Sequence, residues 1–122
     1  MSIFAQVFAE LNVESVRTQV NDISPYVRAR GTDFPAITFM VGTEEFERNS
    51  TGFVYSLADV QVTCMARSVV ESEAIAASVK NAVTAGNCNF LTSIERDYEE
   101  GYDDDSVGVF SVTLNYSKQT GI

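Results

Sequence analysis

The side chains that most often perform enzyme chemistry are scarce in this sequence. It contains no histidine, which removes the usual general base and the commonest metal ligand. Its two cysteines, Cys64 and Cys88, have no imidazole in the chain to activate them, and we expect both to be free thiols buried as small hydrophobic side chains. A serine–lysine pair would need Lys80 or Lys118, and we expect both lysines to be solvated. The residues therefore predict no catalytic residue, no cofactor and no enzyme activity.

The densest group of carboxylates has some features of a cation site. It comprises Glu99, Glu100, Asp103, Asp104 and Asp105. A calcium-binding EF-hand loop needs a glycine at its sixth position and a glutamate at its twelfth. With Asp103 as the first position, Gly108 is the sixth but Leu114 is the twelfth, so only part of the pattern is present. We therefore predict a solvated acidic turn and no metal site.

The charge of the chain argues against tight binding of nucleic acid. The 122 residues include seventeen acidic and eight basic ones, for a net charge of −9. Binding through phosphates requires clustered positive charge, and only Arg28 and Arg30 lie close together. An acidic surface repels the DNA backbone instead. The apolar runs are too short to span a bilayer and the first residues do not resemble a secretory signal, so we expect no membrane contact and a reducing cytoplasm.

The first quarter of the sequence predicts a helix and an edge strand. Apolar residues recur at helical spacing over residues 2–11, where Ser2 can cap the first turn. Valines spaced over residues 13–20 fit a second helical stretch, although a strand fits part of the same pattern. A short strand over Ile23–Arg28 would be kept at a sheet edge by Pro25.

The middle of the sequence predicts two strands separated by an arm. Pro35 opens a β-rich run over residues 36–41, which we expect Gly42 to stop. Residues 43–56 are polar with interspersed aromatic residues, and this composition predicts a protruding hairpin arm or loop. Apolar and polar residues then alternate over residues 58–67, which predicts a strand with one buried face.

A helix signal follows this strand. Ser68 and Glu71 have the spacing of a capping box, in which each side chain accepts a hydrogen bond from the backbone of the other. The helix is predicted to run to about Ala85, because Gly86 is a typical helix stop.

The remaining elements complete the predicted fold. Strands over Leu91–Glu99 and Val107–Ser117 flank an acidic turn, as in an antiparallel hairpin. The sequence as a whole predicts an α+β fold, with a mostly antiparallel sheet of about four to five strands packed against one long helix and an N-terminal helix. We expect a single domain over residues 1–122.

The aromatic residues of the arm are candidates for a subunit or partner interface. Phe46, Phe53 and Tyr55 lie in a stretch that is too polar to be core throughout. Large aromatic side chains are favoured anchors in protein interfaces. The alternative is that these rings fold back on the sheet of their own chain.

Several strings in this order resemble the tail-completion, or tail-terminator, proteins of tailed bacteriophages. Residues 20–29 lead through residues 31–35 into the strand at 36–39, like the family's hydrophobic–x–Pro strand and its Phe-Pro-hydrophobic strand. The string over 58–68, followed by Glu73 and Ala74, is similar to the family's Val-Gln-Val strand and the helix after it. The resemblance extends over about residues 15–117.

The resemblance implies a structural role in the neck of a virion. Such proteins form a homohexameric ring on the head-proximal end of the tail tube, end tail growth and present a surface to the head–tail connector or adaptor proteins. DNA passes through the channel without sequence-specific binding. For this chain the resemblance implies assembly in the bacterial host cytoplasm and contact with tail tube protein. The net negative charge adds the separate hypothesis that acidic residues line the channel and keep passing DNA from adhering, for which Glu44, Glu45 and Glu47 of the arm are the candidates.

Other functions are also compatible with the sequence. The chain can be a head-completion adaptor or a minor tail protein of the same neck. It can also be a small binding or chaperone-like domain unrelated to bacteriophages. An enzyme using carboxylates or serine is the alternative that the residues favour least.

Overall fold

A computed structural model describes residues 2–27, 33–48, 52, 54–85, 88–100 and 108–121. The elements in chain order are α1 (Ile3–Leu11), α2 (Glu14–Arg17), β1 (Asp22–Pro25), β2 (Ala36–Arg48), β3 (Val54–Ala66), α3 (Val69–Thr84), β4 (Asn89–Glu99) and β5 (Val109–Gly121). The predicted α+β class is confirmed: five strands form one mixed sheet that is antiparallel except at β1.

The first helix forms as its sequence predicts. The Ser2 hydroxyl accepts a hydrogen bond from the Ala5 amide at 3.1 Å, which satisfies one of the free amides of the first turn. Val7 and Leu11 are fully buried against the rest of the core. The predicted second helix is only one turn long, Glu14–Arg17, and buries Val16.

The sheet has the strand order β1-β2-β3-β5-β4, so β1 and β4 are its two edges. β1 was expected at an edge and is there, but it ends at Pro25, earlier than predicted, and it runs parallel to β2. Tyr26 then adopts a left-handed backbone with a φ of 64°, a conformation that turns the chain out of the strand. Arg28, the predicted end of the strand, lies outside the described residues.

The prediction that Gly42 stops β2 is wrong. The strand continues to Arg48, paired with β3 throughout. Between Val41 and Glu44 the register shifts, so that three steps along β2 match two along β3. A β-bulge of this kind accommodates one extra residue without ending the strand.

The core lies between one face of the sheet and the helices α1 and α3. The alternation predicted for β3 is confirmed, because Val60, Val62 and Cys64 are buried and Asp59 and Gln61 are exposed. The other buried core residues come from the neighbouring strands and from α3, and include Ile37, Phe39, Val112, Leu114, Tyr116, Ile75, Val79 and Val83.

Helix α3 begins where its capping sequence predicts. The Ser68 hydroxyl accepts a hydrogen bond from the Glu71 amide at 3.2 Å. The helix ends at Thr84 with Ala85 as its C-cap, and the predicted stop at Gly86 lies outside the described residues. The following hairpin is antiparallel as predicted.

The strands of this hairpin are longer than predicted. β4 begins at Asn89 and β5 continues to Gly121. Most of the acidic turn between them, residues 101–107, lies outside the described residues, and with it the fragmentary cation pattern at Asp103–Asp105. Within the described residues, no helix is long and apolar enough to cross a membrane.

Candidate assembly surfaces

The sheet has a helix-covered face and an opposite face, which we call the outer face. Side chains of directly paired residues lie on the same face, so the register assigns every strand residue to one side. Rows on the outer face cross the whole sheet; one of them joins Thr38, Thr63, Thr113 and Glu95. Neighbouring hydroxyl and amide side chains form hydrogen bonds within these rows, for example the 3.1 Å contact between the Thr63 and Thr113 hydroxyls.

Charge is divided unequally between the two faces. Six exposed carboxylates lie on the outer face: Glu45, Glu47, Asp59, Glu95, Asp97 and Glu99. The basic residues of the described part lie in the helices or on the helix side of the sheet, with the exception of Arg67, which stacks over the Phe34 ring at one end of the outer face, 4.8 Å from its centroid. Apart from a small apolar cluster of Phe34, Ala36, Met65 and Val109 at one end, the outer face is therefore an acidic and hydroxyl-rich surface.

The register separates the candidate residues of the arm. Phe46 pairs with Ser56 and lies on the helix side, together with Glu44, which pairs with Ala58. Tyr55 pairs with Glu47 and lies on the outer face, where its hydroxyl donates to the Glu47 carboxylate at 2.8 Å. This hydrogen bond to an anion raises the pKa of Tyr55.

The three predicted channel glutamates therefore do not form one group, because Glu45 and Glu47 share the outer face and Glu44 does not. The candidate aromatic residues also differ in setting. Phe46 is 65% exposed, whereas Tyr55 is half-buried. Phe53 lies outside the described residues.

Both sides of the sheet end in backbone that is open within the described part of the chain. On one side this is most of β4, where the Tyr98 amide donates to the Asp97 carboxylate, and on the other it is the portion of β2 beyond Phe39, where the Tyr26 hydroxyl contacts the Val41 carbonyl at 3.5 Å. Open strand edges expose unpaired amide and carbonyl groups and are natural sites for association. Sequence periodicity did not identify these edges, because it contains no information on strand order.

A buried polar cluster joins α1 to the sheet near the start of β4. The Lys118 ammonium lies 2.7 Å from the Glu10 carboxylate, and its residue is 7% exposed. The Asn89 amide donates to Glu10 at 2.5 Å and to the Val83 carbonyl at 2.8 Å. The prediction that Lys118 is solvated is therefore wrong, since β5 extends past the predicted end and carries Lys118 into the interior.

The two cysteines lie in different settings. Cys64 is buried as predicted, and burial raises its pKa to about 12, so it is a protonated thiol at neutral pH. Cys88 is exposed, contrary to the prediction, because it precedes β4 on the surface. Among the described side chains no group of three or more acidic or cysteine ligands could hold a metal ion.

A groove of about 240 Å³ lies between α1 and β1. Phe8, Val20 and Ile23 form its apolar part, and Arg17 and Asp22 are among its polar lining residues.

The fold is similar to that of a virion component. A chain from a solved structure described as "Virion of native gene transfer agent (GTA) particle" superposes on this protein with a TM-score of 0.61, over 99% of this chain and 96% of that chain. The two sequences are 12% identical, so the likeness concerns the fold. No protein-family model matches the sequence, and no curated protein matches it. The chain thus has the fold of a protein found in a phage-like particle.

Proposed function

We propose that this protein is a structural virion protein that caps the head-proximal end of a phage-like tail tube as a ring. In this role it ends tube growth and joins the tail to the head connector, while DNA passes through the ring. The observation that carries the proposal is the fold shared along nearly the whole chain with a component of a gene transfer agent virion. The resemblance of residues 15–117 to tail-terminator proteins supports the more specific assignment.

The division of charge suggests how the ring is oriented. A channel that DNA crosses should not bind phosphates, and a surface with six carboxylates repels them. The outer face has this character, whereas five of the basic residues lie on the helix side. We therefore place the outer face toward the channel and α1 and α3 toward the outside of the ring. The proposal retains Glu45 and Glu47 as channel residues and removes Glu44.

The capping role can be tested with purified tail tubes. Mixing the chain with its cognate tube protein should give tubes that carry a ring at one end and stop elongating, visible by negative-stain microscopy. A head-completion adaptor would bind the connector and leave tube ends bare. Tubes of unchanged length with bare ends would refute the proposal.

The channel assignment can be tested with matched charge reversals. The double variant Glu45→Lys/Glu47→Lys changes charge on the outer face, and Glu44→Lys/Glu71→Lys makes the same change of charge on the helix side. In reconstituted particles, only the first variant should slow DNA ejection, because it places cations next to passing phosphates. Equal ejection rates for both variants would contradict the channel assignment.

A further inference from the structure

We infer that copies of this chain join edge to edge, with the first half of β4 of one copy pairing antiparallel to the bulged segment of β2 in the next copy. The two segments are Asn89–Ile94 and Met40–Thr43. The inference rests on the proposed ring and identifies the surface that closes it.

The strand directions favour this pairing. β2 is antiparallel to β3, β3 to β5, and β5 to β4, so β2 and β4 run in opposite directions within one copy. If the strands run along the ring axis, rotation about that axis leaves the direction of each strand unchanged. The β4 edge of one copy therefore meets the β2 edge of the next as an antiparallel neighbour, which continues the pattern of the sheet. The two edges are different surfaces, as a head-to-tail ring requires.

The two segments also lie at the same height in the sheet. The row through Met40 passes Gln61 and Asn115 and reaches β4 at Ser93. The next row on the outer face reaches β4 at Phe90 through its partner Ser117. Rotation alone, without displacement along the axis, therefore brings one segment beside the other.

Charge limits the pairing to these segments. Asn89–Ile94 and Met40–Thr43 contain no charged residue. The rest of β4 carries Glu95, Asp97 and Glu99, and the rest of β2 carries Glu44, Glu45 and Glu47. Charged side chains on an edge strand discourage pairing, because the partner would have to desolvate them. The uncharged segments are therefore where strand pairing requires the least desolvation of charge.

An exposed apolar side chain marks each segment. Met40 is 39% exposed and Phe90 is 52% exposed, and both lie on the outer face. They lie on neighbouring rows, so at a joined edge these two long side chains come within diagonal reach of one another. β1 ends at Pro25, which pairs with Phe39, and beyond it the Tyr26 hydroxyl makes a long contact of 3.5 Å to the Val41 carbonyl, which a neighbouring strand would displace.

A cysteine pair tests the contact directly. In a Cys88→Ser background, the double variant Met40→Cys/Ser93→Cys, which lies on one row of the outer face, should form disulfides between copies under mild oxidation. Within one copy these positions are separated by two intervening strands, or roughly 14 Å, which is too far for a disulfide. The expected result on a non-reducing gel is a ladder of disulfide-linked oligomers that extends up to the full ring. Each single cysteine variant should give at most disulfide-linked dimers.

Lysine substitutions test the energetic importance of the edges. Met40→Lys and Phe90→Lys should each raise the protein concentration needed for ring assembly by about tenfold or more, although each reduces the net negative charge. The control is Val70→Lys, which changes charge equally at an apolar side chain that is 80% exposed on α3. It should assemble at least as readily as the unmodified chain.

The outcomes separate this inference from the proposed function. Rings that cap tubes but give no ladder, and that tolerate both edge lysines, would overturn the edge pairing and leave the capping role intact. A covalent ladder from rings that never bind tubes would support the pairing and count against the capping role. A chain that stays monomeric with and without tubes would overturn both.

Discussion

The buried pair formed by Glu10 and Lys118 should respond asymmetrically to removal of its two partners. Lys118 is the more deeply buried, with 9% of its side chain exposed compared with 26% for Glu10. An ammonium group in that position depends on its counter-charge. We therefore expect Glu10→Gln to destabilise the protein more than Lys118→Met does.

The magnitudes follow from burial and from the contacts that remain. Breaking a buried pair costs about 3–5 kcal/mol when a buried charge is left without its partner. Glu10→Gln should cost about 3 kcal/mol, at the lower end, because the amide oxygen can still accept from Lys118. Lys118→Met should cost about 1–2 kcal/mol, because Glu10 remains partly solvated and keeps the hydrogen bond from Asn89.

The double variant provides the decisive comparison. Once Lys118 is replaced by Met, the glutamine no longer faces a buried cation, so Glu10→Gln/Lys118→Met should be more stable than Glu10→Gln alone. Urea unfolding followed by circular dichroism, at protein concentrations below ring assembly, measures all four forms of the cycle. If the double variant loses as much unfolding free energy as the two single variants together, the two side chains are not coupled and the prediction is wrong. It is also wrong if Glu10→Gln lowers the unfolding free energy by less than about 0.5 kcal/mol.

Three further outcomes follow from the structure. Burial raises the pKa of Cys64 to about 12, so between the thiol's ordinary pKa and pH 12 the folded protein retains a proton that the unfolded chain releases. The folded state therefore has its full stability below the ordinary pKa and loses stability as the pH rises toward 12. The free energy of unfolding should therefore fall above about pH 9 by up to about 1.4 kcal/mol per pH unit, and Cys64→Ala should show a smaller slope in urea titrations, whereas equal slopes would contradict the assignment. Ser68→Ala removes the acceptor of the Glu71 amide and should cost about 1 kcal/mol by thermal or urea unfolding, and an unchanged stability would show that water replaces the cap. Ring assembly should become easier as the salt concentration rises, because acidic residues flank both edges and the screening length falls from about 10 Å at 0.1 M to about 3 Å at 1 M. Sedimentation velocity measures the fraction of rings, and rings that dissociate at high salt would argue against an interface flanked by like charges.

Periodicity and capping signals predicted most of the elements. The alternation in β3 and the capping serine of α3 depend only on residues that are close in sequence, so both can be predicted from the sequence alone. Strand ends were less predictable. Gly42 is a typical strand breaker, but pairing with β3 continues past it through a bulge, and only the partner strand decides that.

The assembly surfaces depend on information that is not local. Lys118 is a surface residue by type, and only the extra length of β5 and the position of Glu10 bury it. The division of Glu44 from Glu45 and Glu47 follows from the register between β2 and β3. The open edges follow from strand order, which places sequence-distant strands side by side.

The most direct test of the central claim is a cryo-electron microscopy reconstruction of the chain bound to the end of a tail tube. We expect a closed ring in which the sheets form the inner wall, with Glu45, Glu47 and Asp59 facing the channel and α1 and α3 on the outside. A ring whose channel is lined by the helices, or a tube end without a ring, would contradict it.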